Sequence, residues 1–277
     1  MKIGLSLGGG GALGYAHIGA LRAFREVGIT IDLINGSSMG AIVGGAYALY
    51  NDVDHMTTLV EEVVKNINVR TFNVFKSSEH HPFLRNWLST AFCDITLLRP
   101  SILSHKNDVK ALNVIFGEGK FTDTLIPFSC VAVDLLSGEI VVIDTGSLVD
   151  GILPSISLPG VFPPIERDGR LLVDGSVLAD VPVKELRDQG ADYVIAIRLA
   201  PKAAWWYQTG SDLLNLVEMM KESMLTQWEQ DQADFNIEMN LPDIQLLDFE
   251  SYDHAIFHGY QTAKKICPEL KRRISTA

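Results

Sequence analysis

Ile31-Asp32-Leu33-Ile34-Asn35-Gly36-Ser37-Ser38-Met39-Gly40-Ala41-Ile42-Val43 reads as a strand, a turn and the start of a helix. The run 31–35 is strand-like and 41–50 is helix-like. Between them, Gly36-Ser37-Ser38-Met39-Gly40 is G-x-S-x-G. A serine at such a bend has its hydroxyl thrust out of the sheet edge, and glycines flank it because side chains would clash with the turn. The same pentapeptide also describes a small-residue turn in which Ser37 or Ser38 caps the helix. The strand–turn–helix context makes Ser38 a candidate nucleophile.

Further strand-like runs lie at 3–7, 128–133, 140–143, 171–173, 193–199 and 244–247, most of them short and continuously apolar, as in a buried, mainly parallel sheet. Helical patterns at 12–27, 56–66 and 183–189 separate several of them, which implies βαβ units and a layered α/β domain. The Ser137-Gly138 turn predicts a hairpin, so the sheet is expected to be mixed. Residues 66–106, with His80-His81-Pro82, Phe83, Trp87 and Phe92, fit poorly and read as an insertion that covers a site. The stretch 211–235 has amphipathic helical spacing and is expected to pack on the body. A last helix spans about 254–273 and ends in cations that complement its dipole. The division expected is a domain over 1–200 and a helical extension, 201–277, packed on it.

The chain has 277 residues, 47% of them apolar, which is enough for a sizeable core. Its formal net charge is −11. That argues against a nucleic-acid binder, which needs a basic footprint. It also argues against docking on anionic lipid by overall charge. Cys93, Cys130 and Cys267 are scattered, with no C-x-x-C, so a reducing, cytoplasmic setting is expected. The N-terminal apolar run breaks at once into glycines and reads as a strand, not as a targeting segment. No run reaches the length of a membrane span.

A hydrolytic serine needs an oxyanion site and a base. Gly8-Gly9-Gly10-Gly11-Ala12-Leu13-Gly14 follows the first strand and opens the first helix, where backbone N–H groups converge and favour negative charge. Gly9 to Gly14 also spell G-x-G-x-x-G. The acidic residue of a dinucleotide site is absent at the second strand, where Asn35-Gly36 stands, and no Gly-Lys-Ser/Thr completes a P-loop. His254 and His258 come late enough to serve as a base, but they sit at i and i+4 on a helix pattern with no loop to present them. Asp174, in Leu171-Leu172-Val173-Asp174-Gly175-Ser176, ends an apolar strand and delivers a carboxylate to a sheet edge. Asp-Gly is also a common turn pair. Asp52, Asp54 and His55 read as a helix N-terminal turn. His80 and His81 are adjacent and point apart, so no metal is expected, and no cofactor.

Gly9-Gly10-Gly11-Ala12-Leu13-Gly14, the Gly36–Gly40 turn, Ser155-Ile156-Ser157-Leu158-Pro159-Gly160-Val161-Phe162-Pro163-Pro164 and Asp174-Gly175 followed by Val181-Pro182-Val183 occur in the order found in the patatin-like phospholipases. The resemblance spans about residues 2 to 199. It implies a three-layer patatin-like fold, with a mainly parallel central sheet and helices on both faces. It also implies a Ser38–Asp174 dyad without histidine, an oxyanion held by Gly9, Gly10 and Gly11, and turnover of lipid or lysolipid esters through an acyl-enzyme. The motif glycines Gly14, Gly36, Gly40 and Gly175 complete the match. Leu13 departs from the Arg or Lys usual in the family, and Ser176 and Asp180 stand where Gly or Ala and Asn are common. The acyl pocket is expected under 66–106, walled by Phe83, Leu84, Trp87 and Leu88. Trp205-Trp206-Tyr207 suggest peripheral contact with lipid at the inner face of a membrane. The alternative from another class is a non-catalytic lipid-sensing or protein-interaction scaffold.

Overall fold

In a computed structural model, described here for residues 1–66, 101–200 and 209–277, the apolar runs form one mixed sheet. Its strands are β1 (Ile3–Leu7), β2 (Leu33–Gly36), β3 (Phe128–Asp134), β4 (Glu139–Ile143), β5 (Ile165–Arg167), β6 (Arg170–Asp174), β7 (Tyr193–Ala200) and β8 (Phe235–Asn240). They lie in the order β5-β6-β3-β2-β1-β7-β8, with β4 paired to β3. The β2, β1, β7 and β8 neighbours are parallel, as is β3 to β2. The pairs β3–β4, β3–β6 and β5–β6 are antiparallel, so the mixed sheet and the Ser137-Gly138 hairpin are both present.

The helices are α1 (Ala16–Val27), α2 (Met39–Tyr50), α3 (Val53–Asn66), α4 (Lys106–Phe116), α5 (Leu148–Ser155), α6 (Val183–Asp188), α7 (Gly210–Gln230) and α8 (Tyr252–Thr276). Alternate residues of β7 enter two different cores, because successive side chains of a strand face opposite sides. Ile195 and Ile197 join the larger cluster with α1, α2 and α8. Val194 and Ala196 join the smaller one with Val183 and Leu186 of α6. The sheet is thus the middle of three layers. Because the α1–α8 crossing meets at glycines, the backbones touch. A Cβ on Gly19 would lie 2.0 Å from the Ile256 carbonyl oxygen, and one on Gly259 would lie 2.0 Å from that of Ala16.

The C-terminal third differs from the sequence reading in three places. The helix predicted over 211–235 ends at Gln230, and Phe235 opens β8, whose Phe235, Ile237 and Met239 are buried while Asn236, Glu238 and Asn240 are exposed. The run at 244–247 is a loop, not a strand, and it lies on the glycine turn after β1. In α7 it is the polar face, not the apolar stripe, that packs on the body. Leu214, Met220, Met224 and Trp228 are more than half exposed, while Thr226, Glu229 and Gln230 are buried. The helix is seated on its polar face. Helices α4 and α5 were not anticipated. The readings placed on Phe83, Leu84, Trp87, Leu88, His80, His81, Cys93 and Trp205-Trp206-Tyr207 lie outside the described residues.

Candidate active site

The turn after β2 is as tight as its glycines suggest. A Cβ on Gly36 would lie 2.3 Å from the Gly40 carbonyl oxygen, and one on Gly40 would lie 2.1 Å from that of Leu7. Ser38, between them, has φ 50 and ψ −120, a conformation that L-residues rarely adopt. Such strain persists only where the surroundings impose it. Here the Ser38 N–H donates to Ser155 Oγ at 3.1 Å, and α2 follows immediately. Ser155 is the first serine of the 155–164 segment, which thereby holds the bend in place.

The Ser38 Oγ–H donates to Asp174 Oδ2 at 2.8 Å. Asp174 sits at the end of β6, and its backbone N–H donates to the Ser157 carbonyl at 3.0 Å. Its other oxygen, Oδ1, accepts from the Ser176 N–H at 2.9 Å and from the Ser176 hydroxyl at 2.8 Å. Burial raises the Asp174 carboxyl to about 6, against the downward pull of the Ser176 and Ser38 hydrogen bonds. Gly175 allows the approach: a Cβ there would lie 2.5 Å from the Val131 carbonyl oxygen and 2.7 Å from Ser37 Oγ. Ser176, at one of the departures from the family pattern, is therefore a donor to the candidate base.

The glycine loop faces this pair across the top of β1. Gly10 and Gly11 have φ 138 and 53, which glycine adopts without the steric cost of a side chain. A Cβ on Gly11 would lie 2.2 Å from the Leu246 carbonyl oxygen, which accepts from the Ala12 N–H at 2.7 Å. Gly14 meets Met39 of the serine turn, where a Cβ would lie 2.1 Å from Met39 Cγ. Gly9 differs from its neighbours, since its N–H donates to Asp180 Oδ1 at 3.1 Å and to the Asp180 carbonyl at 3.3 Å. Among the described residues, the N–H groups of Gly10 and Gly11 donate to no protein acceptor. His17 Nε2, fully buried, lies 2.9 Å from the Gly8 carbonyl, and burial lowers this imidazole to about 4, so at neutral pH it is an uncharged donor.

Ser38, Asp174, Gly9, Gly10 and Gly11 all line one cavity of about 360 Å³. Its walls are Val43 and Ala46 of α2, Met56 and Leu59 of α3, and Leu112 and Ile115 of α4. A cavity lined mainly by apolar side chains, with the Ser38–Asp174 pair in its wall, fits an acyl chain better than a nucleotide. His254 and His258 lie elsewhere, their Nε2 atoms 3.1 Å apart on α8. Asp52 caps α3 by accepting from the N–H groups of Asp54 and His55 at 3.0 and 3.1 Å, as read from the sequence. Leu13 is fully buried in the 3-10 turn that leads into α1. Ser155, His17 and the tie from Asp180 to Gly9 were missed as parts of the site. Ser155 had a signal as the first residue of a quoted motif, and Asp180 as a departure from the family pattern.

The fold and the site define a layered α/β protein with a serine on a strained turn, an aspartate beside it and a glycine loop opposite. Residues 5–187 match the family model described as Patatin-like phospholipase, and the chain belongs to that family. It is 35% identical over 198 residues to an uncharacterised NTE-family protein of Mycobacterium tuberculosis, covering 72% of this chain and 49% of that protein. It is 32% identical over 198 residues to the neuropathy target esterase sws of Drosophila melanogaster (71% and 13% covered). With a lysophospholipase of Meyerozyma guilliermondii it shares 30% identity over 195 residues (70% and 12%). The chain thus spans half or less of these relatives. Among solved structures, VipD of Legionella pneumophila shares the fold, with a TM-score of 0.56 at 17% identity, covering 97% of this chain and 66% of that one.

Proposed function

We propose that the chain is a serine acyl hydrolase that cleaves acyl esters of phospholipids or lysophospholipids. The observation that carries this reading is the 2.8 Å hydrogen bond from Ser38 Oγ to a buried Asp174, in the wall of a mainly apolar cavity. Family membership, and relatives named as an esterase and a lysophospholipase, support the substrate class.

The chemistry follows from the atoms. Asp174 Oδ2 takes the Ser38 hydroxyl proton as Oγ attacks the ester carbonyl carbon, and the carbonyl oxygen becomes an oxyanion. The free N–H groups of Gly10 and Gly11 are the donors available to it. Collapse breaks the ester bond, and the departing alcohol takes the proton from Asp174. Water then attacks the acyl carbon and gives a proton to Asp174; the acyl–Oγ bond breaks, Ser38 Oγ takes that proton back, and the fatty acid leaves. An aspartate is an adequate base here because burial has raised its proton affinity. Ser176 fixes Oδ1, leaving Oδ2 to face the serine.

The exposed apolar stripe of α7 supports peripheral contact with a lipid surface. The same helix reaches the cavity through Glu222. Interfacial helices lay such a stripe into the headgroup boundary.

The test pairs hydrolysis of an acyl-ester series with covalent labelling by a fluorophosphonate. Turnover by the wild type, with labelling at Ser38 that vanishes in Ser38→Ala, is the expected result. An unlabelled Ser38 and no turnover on any ester would leave the non-catalytic lipid-sensing scaffold as the function.

A further inference from the structure

The mechanism above leaves Asp108, Asp180 and Glu222 of the cavity lining unused, and of these Asp180 bonds to the glycine loop. Asp180 lines the same cavity as Ser38 and Asp174, and its Oδ1 accepts the Gly9 N–H at 3.1 Å. A Cβ built on Gly9 would lie 2.9 Å from that oxygen and 3.2 Å from Ser38 Cβ, so Asp180 and the serine flank the glycine loop at the same point. The next residue, Val181, is anchored from behind, since its N–H donates to Glu229 Oε2 at 3.0 Å. Asp180 is therefore fixed, buried and a neighbour of the developing charge.

Its electrostatic surroundings are mostly acidic. Asp174 at the end of β6 and Glu222 on α7 oppose its ionisation, and Arg198 on β7 favours it. Glu229 on α7 interacts with it as a like charge. Burial is the largest influence and Glu222 the next, and together they push Asp180 up to about 7, against the pull of the Gly9 hydrogen bond. With Asp174 ionised, two like charges share one dry site, and the second carboxyl keeps its proton.

We propose that Asp180 is a positioning residue for acyl transfer that works as a neutral, amide-like group, holding the Gly9 N–H so that Gly10 and Gly11 face the cavity, and that its ionisation shuts the reaction down. The proposal rests on the hydrolase reading. A neutral carboxyl offers a carbonyl oxygen to Gly9, as asparagine would. An ionised one adds a full negative charge behind the loop that must bind an oxyanion, and it opposes the transition state for the same reason that oxyanion donors favour it.

The test is the pH profile of kcat/KM on a soluble short-chain ester for the wild type, Asp180→Asn and Asp180→Ala. The wild type should give a bell, rising as Asp174 ionises and falling as Asp180 ionises. Asp180→Asn should keep the rise and lose the fall, making it about thirtyfold faster than wild type at pH 8.5. Asp180→Ala should also lack the fall but lose about tenfold in kcat at its plateau, because the side-chain acceptor for Gly9 is gone. A fall retained in Asp180→Asn, or uniform loss with an unchanged profile, would overturn the proposal.

Carboxyl 13C titration of Asp-labelled wild type, assigned with Asp174→Asn, gives a reading independent of folding of the Asp180 variants and of turnover. A second Asp titrating near neutrality supports the proposal, and its absence sinks it. If that titration is present but no ester is hydrolysed and Ser38 stays unlabelled, the hydrolase reading fails on its own account, and the role given to Asp180 goes with it.

Discussion

In the proposed reaction Asp174 acts as a base from a place that water barely reaches. Desolvation keeps its proton until about pH 6, so catalysis should rise through that pH. Asp174→Asn and Ser38→Ala should each lose at least about two orders of magnitude in kcat/KM, and Asp174→Asn should also lose the acid limb. Steady-state rates from pH 4 to 8 check both. Leu13 poses the opposite problem. Its side chain is fully buried, so the cation usual at this family position would have no water and no described partner. Leu13→Arg should cost about 3 kcal/mol or more, read as a lower midpoint in denaturant. Ser38, Asp174 and the glycines were legible because each is dictated by its immediate chain neighbours. The contact of Asp180 with Gly9 was not, because it joins residues 171 apart in the chain, and nothing in the local pattern marks His17 as the partner of the Gly8 carbonyl.

Helix α7 carries its apolar residues on the outside, an arrangement that periodicity alone cannot reveal. The spacing of Leu213, Leu214, Val217, Met220, Met224 and Trp228 gives one stripe whether it meets a core or a lipid surface. What decides is the other face, where Thr226, Glu229 and Gln230 are the buried residues. If the stripe meets lipid, Leu214→Glu with Met224→Glu should lower hydrolysis of phosphatidylcholine vesicles at least about tenfold while leaving a soluble ester unaffected, since neither residue lines the cavity. Equal loss on both substrates would show that the stripe has another use. Strand β8 did carry a signal. Phe235-Asn236-Ile237-Glu238-Met239-Asn240 alternates strictly, but the helical reading takes in Phe235 alone and leaves 236–240 without an element. Helix α5 had one too, in Ser147, whose hydroxyl accepts from the Asp150 N–H at 3.4 Å as an N-cap.

At the scale of the molecule, an acidic chain has buried several of its acids. Asp174, Asp180 and Glu229 are raised to about 6, 7 and 8, in each case chiefly by burial. The folded chain therefore holds these protons more tightly than the unfolded one, whose carboxyls titrate near 4. The native state binds more protons between about pH 4 and 8, so stability is greatest at the acid end of that window and declines as pH rises through it. Thermal midpoints should fall from pH 5 to pH 9, and Glu229→Gln, which can still accept from Val181, should flatten that slope. The layered α/β class was readable from alternating apolar runs, and the mixed sheet from one turn pair. The order of strands was not, because β1 sits between β2 and β7 through contacts that no local pattern encodes.

The Leu246 carbonyl that receives the Ala12 N–H has a consequence for how the protein comes into being. A chain made from its N-terminus has its serine turn and its glycine loop in hand early. The surface on which that loop rests does not exist until residue 246 has been synthesised. Helix α8, which meets α1 backbone to backbone, comes later still. Domains of this kind fold as units during synthesis, and here the unit is completed by its last part. Until residue 246 and helix α8 have both been made, the glycine loop beside Ser38 lacks the surface that supports it.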